Sequence, residues 1–279
     1  MEKYLKLLRV KHYVKNVLVF LPMFFGGVIF EKYRIINACL GFMAFSLLSS
    51  VVYIINDYQD IEKDRNHPTK KNRPLANGTI SKKNAIACAV VLLALIFPCA
   101  YYIDNYMASV YLILYLLLNV FYSMGLKNKP IIDVVILASG YVIRVLYGGL
   151  ITSVEISKWL YLVIVTGSLY MGLGKRRNEL RTQTDTREVL RFYNERFLDK
   201  NMYVCIALVN VFYALWSIEM PNPRMIWTVP IFMVLLMYYS LDVEGDSDGD
   251  PVEVIIHDKA LIAIIIAYST TIFALLYLF

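Results

Sequence analysis

The sequence predicts an all-α integral membrane protein with nine transmembrane helices. Three observations carry that expectation: composition, the length of the apolar runs, and a one-sided distribution of basic residues. Of the 279 residues, 58% are hydrophobic and only 18% are charged, with a mean hydropathy of +0.54. A soluble domain holds about 25% charged residues, so composition alone excludes an ordinary water-soluble core. A bilayer needs about 20 consecutive apolar residues per helix, within roughly 17–25. Nine runs approach or meet that length, at about 14–30, 35–55, 85–103, 107–124, 131–151, 159–174, 202–218, 225–241 and 260–279, forming one domain over 1–279. Each is too long for a strand and ends at charge, proline or glycine. The first carries Gly26-Gly27, which allows a tilt or a break.

Basic residues orient the spans. With the N-terminus in the cytoplasm, the cytoplasmic segments are 1–15, 57–83, 125–130, 175–200 and 242–259. Of the 28 Lys and Arg, only Lys32, Arg34, Lys158 and Arg224 then fall in the opposite links, and only Arg144 falls inside a span. Positive charge accumulates on the cytoplasmic side, so the expected location is the inner (cytoplasmic) membrane, multi-pass, with the C-terminus in the periplasm. The net charge of +6 then reflects bases facing an anionic leaflet, and no nucleic-acid partner is expected. No small-residue cleavage pattern follows the first apolar run, so no cleavable signal peptide is expected. Cys39, Cys88, Cys99 and Cys205 lie in apolar runs without a CxxC pair, the pattern of small core residues. A homo-oligomer is compatible with the sequence.

The second span ends in Asn56-Asp57-Tyr58-Gln59-Asp60-Ile61-Glu62-Lys63-Asp64. Asn56, Asp60 and Asp64 are spaced i, i+4, i+8 and share one face of a helix, with Asp57 beside it. Carboxylates this close repel unless a cation joins them. Hard oxygen donors in small number suit Mg²⁺, which also binds substrate phosphates. A merely solvated helix end is the competing reading, but the helix dipole disfavours acids at a C-terminal end. Lys70, Lys71 and Arg73 follow in a turn-rich loop, and acids beside bases describe a diphosphate site. His67 fits a loop-structuring role.

The run Asn56-Asp57-x-x-Asp60-x-x-x-Asp64-x-x-His67-Pro68-x-Lys70-x-x-Arg73-Pro74-x-Ala76-x-Gly78 after an apolar span resembles the UbiA-type intramembrane prenyltransferases. The resemblance implies a helical bundle around a central cavity, capped by cytoplasmic loops, with Mg²⁺ held by this motif. Aromatic-substrate members of that family carry a second acidic motif, DxxxD, after the sixth span. Here the equivalent stretch is Gly172-Leu173-Gly174-Lys175-Arg176-Arg177-Asn178-Glu179-Leu180-Arg181, in which only Glu179 is acidic. A basic cluster binds a phosphate directly and needs no second metal. The donor expected is one with a metal-bound diphosphate and a further phosphate, the layout of 5-phosphoribosyl 1-diphosphate.

Val14-Lys15-Asn16-Val17-Leu18-Val19-Phe20, the Gly174–Leu180 stretch, and Leu241-Asp242-Val243-Glu244-Gly245 with Pro251-x-Glu253 are similar to the branch of that family that transfers phosphoribose to decaprenyl-like polyprenyl phosphates. That similarity implies attack of a polyprenyl phosphate oxygen on C1 of the sugar, with loss of diphosphate. It implies metal-binding roles for Asn56, Asp60 and Asp64 and catalytic roles for Asp57, Asp60 and Asp64. It implies substrate contacts from Lys15, Tyr53, Lys70, Arg73, Tyr122, Lys127, Lys175, Arg176 and Glu179. For Lys15 a snorkelling lysine also fits, for Tyr53 and Tyr122 a core aromatic, and for Lys127 an orienting charge. The alternative activity is transfer of a prenyl chain from a prenyl diphosphate to a small acceptor. A transporter would show paired repeats with broken helices, and no such repeat is present.

Three further features are expected. Asp133 and Arg144 lie within the fifth span, where ionisable groups face a cavity or a partner. The stretch 175–200 reads as an amphipathic helix able to cover the site. Asp242, Glu244, Asp246, Asp248 and Asp250 are expected to form a solvated acidic turn; Pro251 stands where a calcium loop needs glycine, and docking onto the basic loops 70–73 or 175–181 is the sharper alternative.

Overall fold

A computed structural model of the protein describes residues 2–182, 187–245, 254 and 258–279. Its helices are α1 (Glu2–Leu8), α2 (Leu21–Phe25), α3 (Lys32–Gln59), α4 (Ile61–Arg65), α5 (Lys82–Ile103), α6 (Tyr106–Met124), α7 (Ile132–Thr152), α8 (Lys158–Thr182), α9 (Glu195–Glu219), α10 (Thr228–Glu244) and α11 (Lys259–Tyr277). No strand occurs among the described residues. Seven helical segments there are long and apolar enough to cross a membrane: α3, α5, α6, α7, α9, Pro223–Glu244 and α11. The first expected span is instead a 3₁₀ segment, Val10–Phe20, followed by the short α2 and a turn with Gly27 at φ 72°. The sixth, α8, is long enough, but Thr166, Gly167, Ser168, Gly172 and Gly174 dilute its apolar run before Lys175-Arg176-Arg177 ends it.

Helix starts follow side-chain chemistry. Ser81, Asn105, Asn194 and Asp258 each accept a backbone N–H of the first turn of α5, α6, α9 and α11. Such caps satisfy donors that have no partner within the helix.

The chain divides into two compact units. The first comprises Met1–Met23, Val28–Leu126 and Ile143–Val154. Its main core gathers Val19, Phe45, Leu48, Leu112, Tyr115, Tyr147 and Ile151. A second core, Leu7, Val51, Ile54, Ile61, Leu75 and Ile80, anchors the loop after α4. Eleven residues is long for a 3₁₀ segment, and a row of serines on α3 holds it. Tyr13 meets Ser50 at 2.8 Å, Asn16 Nδ2 donates to Ser46 at 3.0 Å, and Ser49 donates to Asn16 Oδ1 at 3.4 Å. Arg144 completes the network: Nε donates to Asn16 Oδ1 at 2.8 Å and Nη2 to the Tyr115 hydroxyl at 3.1 Å. Its guanidinium lies 4.9 Å from the Phe45 ring centre and 5.0 Å from that of Tyr115. Polar groups removed from water need such partners. At Gly148 a Cβ would overlap the backbone of Val19, so glycine permits that approach.

The second unit comprises Phe24–Gly27, Lys127–Val142 and Glu155–Phe279. One core joins Val134, Tyr170, Leu173, Leu198, Met202, Val243 and Leu261. Another, around Tyr213, Trp216, Met225, Tyr268 and Ile272, contains a hydroxyl chain, in which Tyr268 donates to Tyr213 at 2.8 Å and Tyr213 meets Thr228 at 2.6 Å. The stretch 175–200 is not one amphipathic helix. Helix α8 runs to Thr182, Glu188–Phe192 is a 3₁₀ turn, and α9 starts at its Asn194 cap. Val189, Leu190 and Tyr193 are buried in the unit's own core, whereas Phe192 and Phe197 are exposed.

Candidate active site

In the first unit, the acidic motif straddles a helix break. Helix α3 ends at Gln59, Asp60 is both its C-cap and the N-cap of α4, and α4 carries Asp64. The i, i+4, i+8 face is therefore interrupted at Asp60 (φ −96°, ψ 11°). The chain turn nevertheless brings Asp57 and Asp64 to one guanidinium. Arg73 Nη1 donates to Asp57 Oδ1 at 3.1 Å and to Asp64 Oδ2 at 2.7 Å. Arg9 Nη2 donates to the same Asp57 Oδ1 at 2.5 Å. Asp57 and Asp64 are 1% and 4% exposed, so two buried carboxylates are balanced by two arginines.

Arg9 was not visible as a site residue in the sequence, where it is one of several bases in a positive N-terminal stretch. Its backbone is left-handed (φ 50°), at the turn between α1 and the 3₁₀ segment. The guanidinium lies 4.7 Å from the Tyr53 ring centre, and the His12 ring packs edge-on against Tyr53 at 5.5 Å. Left-handed backbone at a non-glycine residue is disfavoured and collects at functional sites.

The other predicted residues of this unit fall around that core. Asn56 Oδ1 accepts from Ser123 at 3.2 Å, and Ser123 neighbours Tyr122 in the last turn of α6. Asp60, Tyr53, Lys15 and Tyr122 are half-buried. Lys70 begins a 3₁₀ turn whose shape His67 sets: His67 Nδ1 accepts the backbone N–H of Thr69 and of Lys70, each at 3.3 Å. His67 thus structures the loop, as its turn-rich context implied.

The donor set tests whether a magnesium ion suits this cluster. All candidate ligands are hard oxygens, from Asn56, Asp60 and Asp64. Among the described residues no three carboxylate, histidine or cysteine side chains converge to hold an ion by themselves. Magnesium uses one or two carboxylates together with water and substrate phosphate oxygens. The residues therefore fit a metal that arrives with a diphosphate, and they do not form a cage for a bare ion.

The second unit holds the basic stretch. Lys127 lies just before α7 and Lys175 in the last third of α8, both half-buried. Arg176 is 0% exposed and is gripped by Asp133, whose Oδ2 accepts its Nε at 2.5 Å, and by Glu179. Glu179 also faces Arg187 at 3.8 Å. Asp133, in the first turn of α7, suits the positive end of that helix. Tyr193 donates to Asp133 Oδ1 at 2.6 Å. Burial, and then this bond to Asp133, push the Tyr193 hydroxyl up to about 12, so it stays a donor at neutral pH. Arg177 Nε donates to Asp199 at 2.5 Å. The acidic tail of α10 meets these bases through backbone, as Arg181 and Arg177 donate to the Glu244 carbonyl at 2.8 and 3.4 Å. Asp246, Asp248, Asp250, Pro251 and Glu253 lie outside the described residues.

A helical membrane fold with this acidic motif at the end of a span defines a class. The chain belongs to the UbiA prenyltransferase family, whose model matches residues 19–254. It is a multi-pass membrane protein. It is 33% identical to the decaprenyl-phosphate phosphoribosyltransferase of Mycobacterium tuberculosis, over 96% of this chain and 92% of that one. The enzyme of the same description from Corynebacterium glutamicum is also 33% identical, over 95% and 83%. The fold matches a UbiA homologue from Archaeoglobus fulgidus bound to DMAPP and Mg²⁺ at a TM-score of 0.76, with 20% identity over 98% of this chain and 99% of that one.

Proposed function

We propose that this protein transfers 5-phosphoribose from 5-phosphoribosyl 1-diphosphate to a polyprenyl phosphate in a Mg²⁺-dependent reaction at the cytoplasmic side of the inner membrane. The observation that carries the reading is the 33% identity, over 96% of the chain, to an enzyme described as a decaprenyl-phosphate phosphoribosyltransferase. The basic Lys175-Arg176-Arg177 run supports it, because it stands where a two-metal site for a prenyl diphosphate would place acids. The predominance of Lys and Arg in the segments assigned to the cytoplasm supports the orientation.

In this reaction an oxygen of the lipid phosphate forms a bond to C1 of the ribose, and the bond from C1 to the diphosphate oxygen breaks. The acceptor is already an anion at neutral pH, so no strong general base is needed. The protein's work is to hold two anionic substrates in line and to stabilise charge on the departing diphosphate. Magnesium, when bound, neutralises that diphosphate. Asn56, Asp60 and Asp64 are the residues that would hold it. Asp57 anchors Arg9 and Arg73, and Arg73 with Lys70 takes diphosphate oxygens. Tyr53, Tyr122 and Lys15 line the substrates. Lys127 and Lys175 are assigned, from their match to the family pattern, to a phosphate of the sugar or the lipid; Arg176 and Glu179 serve that phosphate indirectly, because Arg176 is enclosed between Asp133 and Glu179 and fixes the helix turn that carries Lys175.

The test is reconstitution of the purified protein with 5-phosphoribosyl 1-diphosphate, Mg²⁺ and decaprenyl phosphate. Lipid-linked phosphoribose and diphosphate are expected in equal amounts, and chelation of the metal should stop both. No lipid product here, together with prenyl transfer from a prenyl diphosphate to a small acceptor, would establish the alternative chemistry instead.

A further inference from the structure

Ile131 has a left-handed backbone, with φ 69°, and its side chain is 59% exposed. A β-branched residue disfavours this conformation and keeps it only where its surroundings hold it. The group that holds it is the Tyr193 hydroxyl. The Ile131 N–H donates to the Tyr193 hydroxyl at 2.6 Å, and the same hydroxyl donates to Asp133 Oδ1 at 2.6 Å. One oxygen is thus used as acceptor and donor at once, which fixes it from both sides. The other oxygen of Asp133 carries Arg176 at 2.5 Å, and Arg176 continues to Glu179. Asn128 Nδ2 donates to Glu188 at 3.3 Å, a second tie between the 127–131 loop and the 187–193 segment. The Tyr193 ring stacks on Phe197 at 6.0 Å, so the ring has a packing partner independent of its hydroxyl. Every one of these residues belongs to the second unit.

We propose that Tyr193 is a positioning residue: its hydroxyl holds the 127–131 loop in its left-handed form and, through Asp133, sets Arg176 and the helix turn that carries Lys175. The proposal rests on the reading of Lys127 and Lys175 as phosphate contacts. Substitution Y193F removes the hydroxyl and keeps the ring against Phe197. Substitution I131G removes the strain that the hydroxyl holds, because glycine adopts positive φ freely.

The experiment compares wild type, Y193F and Y193F/I131G as full-length protein in lipid nanodiscs. One arm measures hydrogen exchange of the peptide containing Ile131, and the other measures KM and kcat for 5-phosphoribosyl 1-diphosphate with decaprenyl phosphate. In Y193F, exchange at Ile131 should quicken at least tenfold and KM rise about tenfold, the scale of one or two buried hydrogen bonds, while kcat stays within about twofold. Adding I131G should lower KM again by at least about threefold. Unchanged exchange and KM in Y193F would overturn the proposal. So would a loss confined to kcat, faster exchange throughout α9, or failure of I131G to relieve KM. An inactive wild type would reject the proposed reaction alone, and the exchange arm would still decide whether Tyr193 holds the loop.

Discussion

The two units carry ionic clusters of opposite design. In the first, two buried carboxylates, Asp57 and Asp64, are neutralised by arginines whose side chains are 19% and 24% exposed. In the second, the arginine is the buried member: Arg176, at 0% exposure, sits between Asp133 and Glu179. A guanidinium at a surface can change partners when a phosphate arrives, because water compensates the intermediate state. A guanidinium enclosed by two carboxylates cannot leave without stranding charge. The first cluster is thus suited to exchange and the second to holding a fixed shape.

That contrast can be broken in graded steps. The largest effect is expected at Asp60, the half-buried acid at the helix break. Asp60→Asn should lower phosphoribosyl transfer by about a thousandfold, the scale of losing electrostatic stabilisation in a transition state, read as lipid-linked product per unit time. Arg176→Met comes next and acts on stability. It leaves Asp133 and Glu179 buried without their cation, and should cost about 3–5 kcal/mol, seen as a lower melting temperature in detergent. If Arg176→Met melts like the wild type, the second cluster is not the rigid one.

Arg9→Ala should reduce kcat/KM by about ten- to a hundredfold, because a charged hydrogen bond to buried Asp57 is lost. Arg9→Lys should recover part of that, since charge is kept but the flat guanidinium over Tyr53 is not. An Arg9→Ala enzyme with wild-type kinetics would remove Arg9 from the site. The smallest effects concern single bases. Lys175→Glu should raise KM for the phosphoribosyl donor about tenfold, as expected when attraction to one phosphate becomes repulsion. Lys158→Glu, at an exposed pair with Glu219 (3.4 Å), should leave kinetics unchanged and alter stability by under about 1 kcal/mol. Equal effects at both positions would argue against a phosphate role for Lys175.

Much of this was legible in the residues. The helical membrane class followed from composition, and the acidic motif from its spacing beside Lys70 and Arg73. The loop role of His67 also followed from its neighbours. Other features were hidden for physical reasons. Nothing in Val10–Phe20 announces a 3₁₀ segment, since its geometry depends on serines thirty residues away on α3. Arg9 looks like any orienting base until the fold sets it on Asp57. Tyr193 is one of 22 tyrosines, and only its contacts with Ile131 and Asp133 distinguish it.

By itself, the sequence determined the solvent in which this chain folds, the family to which it belongs, and the oxygen-rich acidic motif at the end of a span. Those properties reside in composition and in short-range spacing, which the chain carries whether or not it is folded. The tertiary structure decided which arginine neutralises which carboxylate. It also decided that the helix face of the motif breaks at Asp60, and that Arg176 is enclosed rather than presented. Pairing of charges far apart in the chain depends on burial and distance, and neither exists until the helices have packed.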